Sequence, residues 1–244
     1  MSIQKPFRIS KINNDNIVYT KIKKNKKKTI IYIKYQDNNK LKNFVFQTPS
    51  ILSMYSPFKE NNYYEIDSSL NFKDKDKGKL FIDFLESIDK KVLYDASINS
   101  HEWFDLINKD GNEVLHKSII REDEECENGV IKLKILKTTD FETILRLNEK
   151  NVNIEEIGED LWCKMILECY AIIITEDLKM SVYIRPIIMS FKDREENNYN
   201  YDFIDESDDD GVVKDLFIKS VDTNNENSEN KSIVEEFGST TSSD

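Results

Sequence analysis

Residues 17–47 read IVYTKIKKNKKKTIIYIKYQDNNKLKNFVFQ, and this stretch decides the fold. Residues 17–22 alternate loosely between apolar and polar. Residues 29–35 (TIIYIKY) are dense in β-branched and aromatic types, which suit a pleated, half-buried surface. Between them Lys23, Lys24, Lys26, Lys27 and Lys28, interrupted by Asn25, make a solvated connection. Residues 37–40 (DNNK) supply turn formers, and residues 41–47 return as a strand. Thr48-Pro49 closes it, because proline cannot donate to a ladder and holds its predecessor extended. The chain opens as β-sheet.

Outward from this stretch, residues 57–62 form a turn before a short strand at 63–66. The hydrophobic period changes at Lys77. Leu80, Phe81, Phe84, Leu85, Ile88 and Val92 recur every three or four residues and predict a helix over about 78–95. Asp83, Glu86, Asp89 and Lys90 take its polar side. Residues 100–108 add a short second helix, with Trp103 as a core residue. Strands resume at 130–136, where Ile131, Leu133 and Ile135 oppose Lys132 and Lys134. Residues 141–147 are ambiguous. Residues 162–174 are long for a strand, and residues 176–179 connect them as a hairpin to 180–188. Pro186 predicts an edge or the end of pairing. The expected class is mostly β, a β-rich α+β fold with an OB-like barrel and one prominent packed helix.

Charge is unevenly spread over the 244 residues, whose net is -11. Residues 1–48 hold 12 Lys/Arg against 2 Asp/Glu, while residues 193–244 hold 4 against 16. A basic front and an acidic tail attract each other. Past Phe191 the apolar pattern collapses, apart from an island at 212–218 (VVKDLFI). The expected organisation is one domain over 1–191 and a largely disordered acidic tail over 192–244, whose island Val212, Val213, Leu216, Phe217 and Ile218 binds partners. Solvated faces without a partner are the plainer account of both charge runs.

Three cysteines, Cys126, Cys163 and Cys169, argue against a disulfide framework. The front lacks an apolar signal region, and the longest strongly apolar run, 171–174, is far short of the roughly 20 residues of a membrane helix. An intracellular protein with no membrane association is expected. His101 and His116 stand outside any ligand pattern, and no metal-protease, nucleophile-elbow, P-loop or dinucleotide motif occurs. The expectation is a non-enzyme without cofactor or metal.

Basic residues interleaved with aromatics on strands remain. Lysines follow a phosphate backbone and aromatic faces stack on bases, the two ingredients of sequence-tolerant single-strand binding. The candidate nucleic-acid residues are Lys21, Lys23, Lys24, Lys26, Lys27, Lys28, Tyr32, Lys34, Lys132, Lys134, Lys164, Tyr183 and Arg185. Tyr32 or Tyr183 would stack beside Lys132 and Lys134.

The succession Phe46-Gln47-Thr48-Pro49, Pro57-Phe58, Tyr63-Tyr64, Phe81-Ile82-Asp83-Phe84-Leu85 and Asn99-Ser100-His101-Glu102-Trp103-Phe104 resembles a protein family of large nucleocytoplasmic DNA viruses. The resemblance spans about residues 17–188. It implies an OB-like barrel that binds single-stranded DNA during viral replication, in the host cytoplasm or nucleus. The acidic tail is similar to those of phage and bacterial replicative single-stranded DNA-binding proteins and implies docking of replication proteins. Those tails end on an aromatic residue, whereas here Phe237 is followed by GSTTSSD. A virion structural or assembly protein, and a transcription-related adaptor working through 212–218, stay open as alternatives. So does self-association.

Overall fold

The computed structural model describes residues 4–60, 63–104 and 114–194. Its strands, in chain order, are β1 (Ile17–Lys24), β2 (Lys28–Asp37), β3 (Lys40–Lys42), β4 (Val45–Gln47), β5 (Ile51–Ser53), β6 (Phe58–Glu60) and β7 (Tyr63–Ser69). Helices α1 (Lys75–Ile98) and α2 (Ser100–Phe104) follow. Then come β8 (Leu115–Lys117), β9 (Val130–Ile135), β10 (Ile144–Leu147), β11 (Lys150–Asn151), β12 (Leu161–Thr175) and β13 (Lys179–Lys192). The class is mostly β with one long helix, in open sheets. A ten-stranded sheet runs β1-β2-β12-β13-β10-β11, with β3 on β2, β4 and β5 on β12, and β8 on β13. A smaller sheet runs β6-β7-β9.

Turn chemistry closes the hairpins. The Asn25 side chain accepts from the backbone N–H groups of Lys27 and Lys28, both at 2.9 Å, and tightens the lysine-rich connection between β1 and β2. Asn38 and Asn39 (φ 47° and 61°) turn β2 into β3. Asparagine tolerates this left-handed region, which a two-residue hairpin loop requires. The β12–β13 connection over 176–178 places Leu178 at φ 58°.

One expected strand is two. Residues 41–47 divide at Asn43-Phe44: β3 stays on β2, while β4 crosses to β12, pairing Val45 with Glu168 and Gln47 with Ile166. The reason is packing. Phe44 and Phe46 are fully buried and meet Phe81 and Phe84 of α1 with ring centroids 4.9–6.4 Å apart. Staying on the edge of β2 would carry those rings away from the helix.

Helix α1 starts earlier than its apolar period suggests, because Asp74 caps it by accepting from the N–H groups of Asp76 and Lys77. It buries Phe81, Phe84, Leu85, Ile88 and Val92, as the spacing predicts, but leaves Leu80 38% exposed. Asp89, expected on the wet side, is buried and accepts from Ser118 Oγ (2.7 Å) and the Ile119 N–H (2.8 Å), with His116 Nε2 at 3.2 Å. A buried carboxylate is tolerated where such partners satisfy it. Near its start, Gly78 lets the Phe72 ring seat against the helix: a Cβ there would stand 2.3 Å from that ring.

Core residues of both sheets and of α1, with Trp103 of α2, form one cluster. The helix thus covers the inner face of the large sheet. Cys126, Cys163 and Cys169 are free thiols within the buried set. Burial raises all three thiol pKa values, Cys126 to about 11, so none is a ready nucleophile.

Pro186 lies in mid-strand rather than at an end. Its neighbour on one side is Leu167 of β12; on the other, β8 pairs only 179–181 and β10 only 188–191. Across that gap, among the described residues, no strand asks proline for a donor, and Thr143 Oγ1 donates to its carbonyl at 3.0 Å.

Candidate nucleic-acid interface

Residues directly opposite in neighbouring strands share a face. Ile17, Tyr19 and Ile22 of β1 oppose Tyr35, Ile33 and Ile31 of β2 and point inward. The register shifts between Tyr19 and Lys21, leaving Thr20 unpaired. Such a bulge inverts parity: Lys21 now opposes Tyr32, and Lys23 opposes Ile30, on the outer face. Tyr32 in turn opposes Ala171 of β12, which opposes Tyr183 of β13. A second bulge, at Tyr170, turns that ring to the same face.

The outcome is an aromatic cluster on the face opposite α1. Tyr170 meets Tyr32 edge-on at 5.4 Å and Tyr183 at 6.2 Å. Lys23 Nζ stands 5.5 Å from the Tyr32 ring, and the Arg185 guanidinium lies 3.7 Å from Tyr170 and 4.1 Å from Phe141. The sequence pointed to Lys21, Lys23, Tyr32, Lys34, Tyr183 and Arg185, and the register brings them to one surface. Lys34 Nζ donates to Asn43 Oδ1 at 2.5 Å. Lys24, Lys26 and Lys27 are exposed at the adjoining hairpin end.

Further along β12 the same face carries a second group. Lys164 opposes Ser190, which lies level with Arg146 of β10; Trp162, half-buried, opposes Lys192. Burial pushes the Lys192 ammonium below its ordinary pKa; Glu149 opposes this and the charge of Lys73 adds to it. At about 3.3 Å per residue, Trp162 and Tyr170 stand about 25 Å apart along the strand. Between the two groups Val45, Ile166 and Ile188, with Ile144 and Ile187 against them, form a small apolar cluster of their own, because the sheet separates them from the main core.

Sequence reading missed Trp162, Tyr170, Arg146 and Lys192. Trp162 had a signal, since it stands two residues before Lys164 and alternation puts both on one face. Tyr170 had none, because a bulge decides its side.

Four expected contact residues stand otherwise than the sequence suggests. Lys28 is only 9% exposed, unlike the lysines before it, because it begins β2 against Thr175 of β12. Lys132 and Lys134 belong to the small sheet, opposite Asp67 and Glu65 of β7, with ion pairs at 3.3 and 3.7 Å. They do not adjoin Tyr32 or Tyr183; Lys134 Nζ lies 3.8 Å from the Tyr63 ring instead. Arg185 is held by Glu168, Nη2 at 2.7 Å and Nε at 2.8 Å from one carboxylate oxygen, so its charge is largely spent. Val212, Val213, Leu216, Phe217 and Ile218 lie outside the described residues. Among the described residues no group of three or more His, Cys, Asp or Glu side chains could hold a metal ion, and no helix is long and apolar enough to cross a membrane.

No family model matches the chain, and no curated protein matches it. Among solved structures it is similar to gp2.5, a single-stranded DNA-binding protein of bacteriophage T7, at 14% identity and TM-score 0.41, over 70% of this chain and 98% of that one. It is also similar to the single-stranded DNA-binding protein of bacteriophage Enc34 in complex with single-stranded DNA, at 14% identity and TM-score 0.37, over 75% and 98%. A C-terminal truncation of the Enc34 protein gives TM-score 0.35 over the same shares.

Proposed function

We propose that the chain binds single-stranded DNA, without sequence preference, across the outer face of its large sheet. The observation that carries this is the surface itself. One face, opposite the helix, holds two aromatic groups, each beside cations: Tyr32, Tyr170 and Tyr183 with Lys21 and Lys23, and Trp162 with Lys164, Lys192 and Arg146. Aromatic faces stack on any base, and cations follow any backbone, so this pairing favours binding over reading. The acid that alternation puts on this face of β12, Glu168, is buried and neutralised by Arg185, which keeps its charge from repelling phosphates. In this reading the sheet is an OB-like scaffold and the protein covers exposed strands at a viral replication site.

The test is ionic. Replacing Lys23, Lys24, Lys26 and Lys27 with Gln, and leaving the buried Lys28 alone, should weaken binding. The log–log salt slope should also flatten by about 0.7 for each phosphate that the variant no longer neutralises. A variant whose titrations overlay wild type from about 50 to about 200 mM salt would remove the hairpin from the interface. Absence of binding by wild type at the lower salt would favour the structural or assembly alternative.

The acidic tail enters the same proposal. Residues 193–244 carry 16 acids against 4 bases on the chain that holds the basic face. Tethering makes their encounter intramolecular, with effective concentrations up to about millimolar. Competing with DNA, the tail would free its island at 212–218 for replication proteins when a strand displaces it. A chain ending at Arg194 should bind DNA more tightly at low salt, with the gain shrinking as salt screens the attraction. It should also lose partner binding that depends on the island. Equal affinities of both lengths of chain at low and high salt would eliminate the competition.

A further inference from the structure

Phe141 lies on the connection between β9 and β10, and that connection's own bonds fix its place. Lys137 and Glu142 pair across it as a β-bridge, with an ion pair at 3.3 Å. Within the turn the Thr138 N–H donates to the Phe141 carbonyl at 2.8 Å, and the Phe141 N–H donates to Thr138 Oγ1 at 3.0 Å. At its base the Thr143 N–H donates to the Leu136 carbonyl at 2.9 Å. Thr143 is buried, and its Oγ1 bond to the Pro186 carbonyl anchors the turn beside Arg185.

From there the Phe141 ring reaches over the guanidinium. The central carbon of Arg185 lies 4.1 Å from the Phe141 centroid and 3.7 Å from that of Tyr170. Those are stacking distances for a planar cation on a ring face, and two rings cannot share one face of a single guanidinium. Phe141, Arg185 and Tyr170 are therefore three successive layers. The buried Glu168 holds the middle one with two bonds, at 2.7 and 2.8 Å, so Arg185 is a fixed spacer and does not swing out to follow a phosphate. Phe141 itself is half-buried. Among the described residues neither apolar cluster includes it, so core packing does not account for an aromatic ring at this turn.

We propose that Phe141 is a further base-stacking residue, which continues the tyrosine group past Arg185, and that Arg185 is its positioning residue. The proposal rests on the single-strand reading above. With one side of the ring laid on the guanidinium, the other is left to receive a base. Asp140 and Glu142 flank Phe141 in sequence and are exposed, which suits an uncharged base face and not a phosphate. The contribution of this turn is stacking, with no part in the salt dependence.

The experiment titrates the full chain with an oligothymidylate of about 16 nucleotides, comparing wild type with Phe141→Ala and Phe141→Leu. Both variants should lose affinity, the alanine one by about 5- to 150-fold, as the loss of one base stack requires. The log–log salt slope should stay as in wild type, because no cation is removed. Leucine fills the space without an aromatic face, so it keeps the test sound if alanine loosens the turn, and a thermal melt verifies both folds. Wild-type affinity in the leucine variant would overturn the proposal, since packing alone would then suffice. A direct readout comes from Phe141→Trp in a W162F background, where the remaining tryptophan, Trp103, is buried. DNA should quench the new reporter, and unchanged emission would overturn the stacking role. With the spacer gone in E168Q/R185Q, Phe141→Ala should cost less affinity than in the wild-type background; an equal cost would overturn the role given to Arg185. Failure of wild type to bind at all would instead remove the single-strand reading, and the stacking role with it.

Discussion

Replacing Arg185 with Gln should lower the stability of the domain by about 3–5 kcal/mol, because it strands a buried carboxylate. Glu168 is 2% exposed, and its Oε2 accepts from both Nη2 and Nε of the guanidinium. Charges out of water persist only when paired, and removing one partner costs more than the pair is worth. Tm should fall by about 6–20 °C at ~2–4 °C per kcal/mol for a domain of this size. The double variant E168Q/R185Q, which leaves no unpaired charge, should recover much of the stability. A melt of R185Q within a degree or two of wild type would show that Glu168 has another partner. The same substitution removes the cation lying on Tyr170 and Phe141, so any DNA defect in R185Q must be read beside E168Q/R185Q, where the fold is restored.

The second large effect belongs to the stacking groups. Trp162→Ala and Tyr183→Ala should each weaken single-stranded DNA binding by about 1–3 kcal/mol. Their groups stand about 25 Å apart along β12 at ~3.3 Å per residue, well beyond the ~7–10 Å within which substitutions usually couple. The double variant should therefore lose about the sum, ~2–6 kcal/mol. Anisotropy titrations of the singles and the double measure this, with near-UV circular dichroism to verify the fold. A double variant no weaker than either single would mean that the groups do not engage one strand. Fluorescence separates the two tryptophans. Trp103 is 1% exposed and packs edge-on against Tyr19 at 4.8 Å, whereas Trp162 lies half-buried on the proposed interface. Binding should quench emission in wild type and leave W162F unaffected.

Much of the fold was legible because its signals are local. β-Branched and aromatic density in residues 29–35 identified β2, and alternation over 180–185 identified β13 and put Tyr183 and Arg185 on one side of it. The three-to-four spacing from Leu80 to Val92 identified α1, and the neighbours of Trp103 marked it as core. Turn residues at 37–40 and 176–179 located two hairpins. Each of these readings depends on residues within a few positions of one another, where backbone geometry dictates which side chains meet.

The interface was legible only in part. Lys21 and Lys23 reach the outer face because Thr20 is bulged, and Tyr170 joins them through a second bulge. One extra residue reverses every later side chain, and no pattern in the sequence marks where that residue sits. Lys132 and Lys134 alternate as cleanly as any pair in the chain, yet strand pairing gives them Asp67 and Glu65 as neighbours.

By itself, the sequence determined a β-rich domain with one amphipathic helix and a basic front opposed by an acidic tail, since hydrophobic period, turn chemistry and charge are properties of the chain read in order. Tertiary structure alone decided which cations share a surface. Strand order and register join residues far apart in sequence: Arg8, Lys73, Lys77 and Lys164 converge on one cleft, and Trp162 stands beside Lys192. Those placements follow from burying Phe44, Phe46 and the apolar stripe of α1 in a common core, a packing requirement that acts on the whole chain at once.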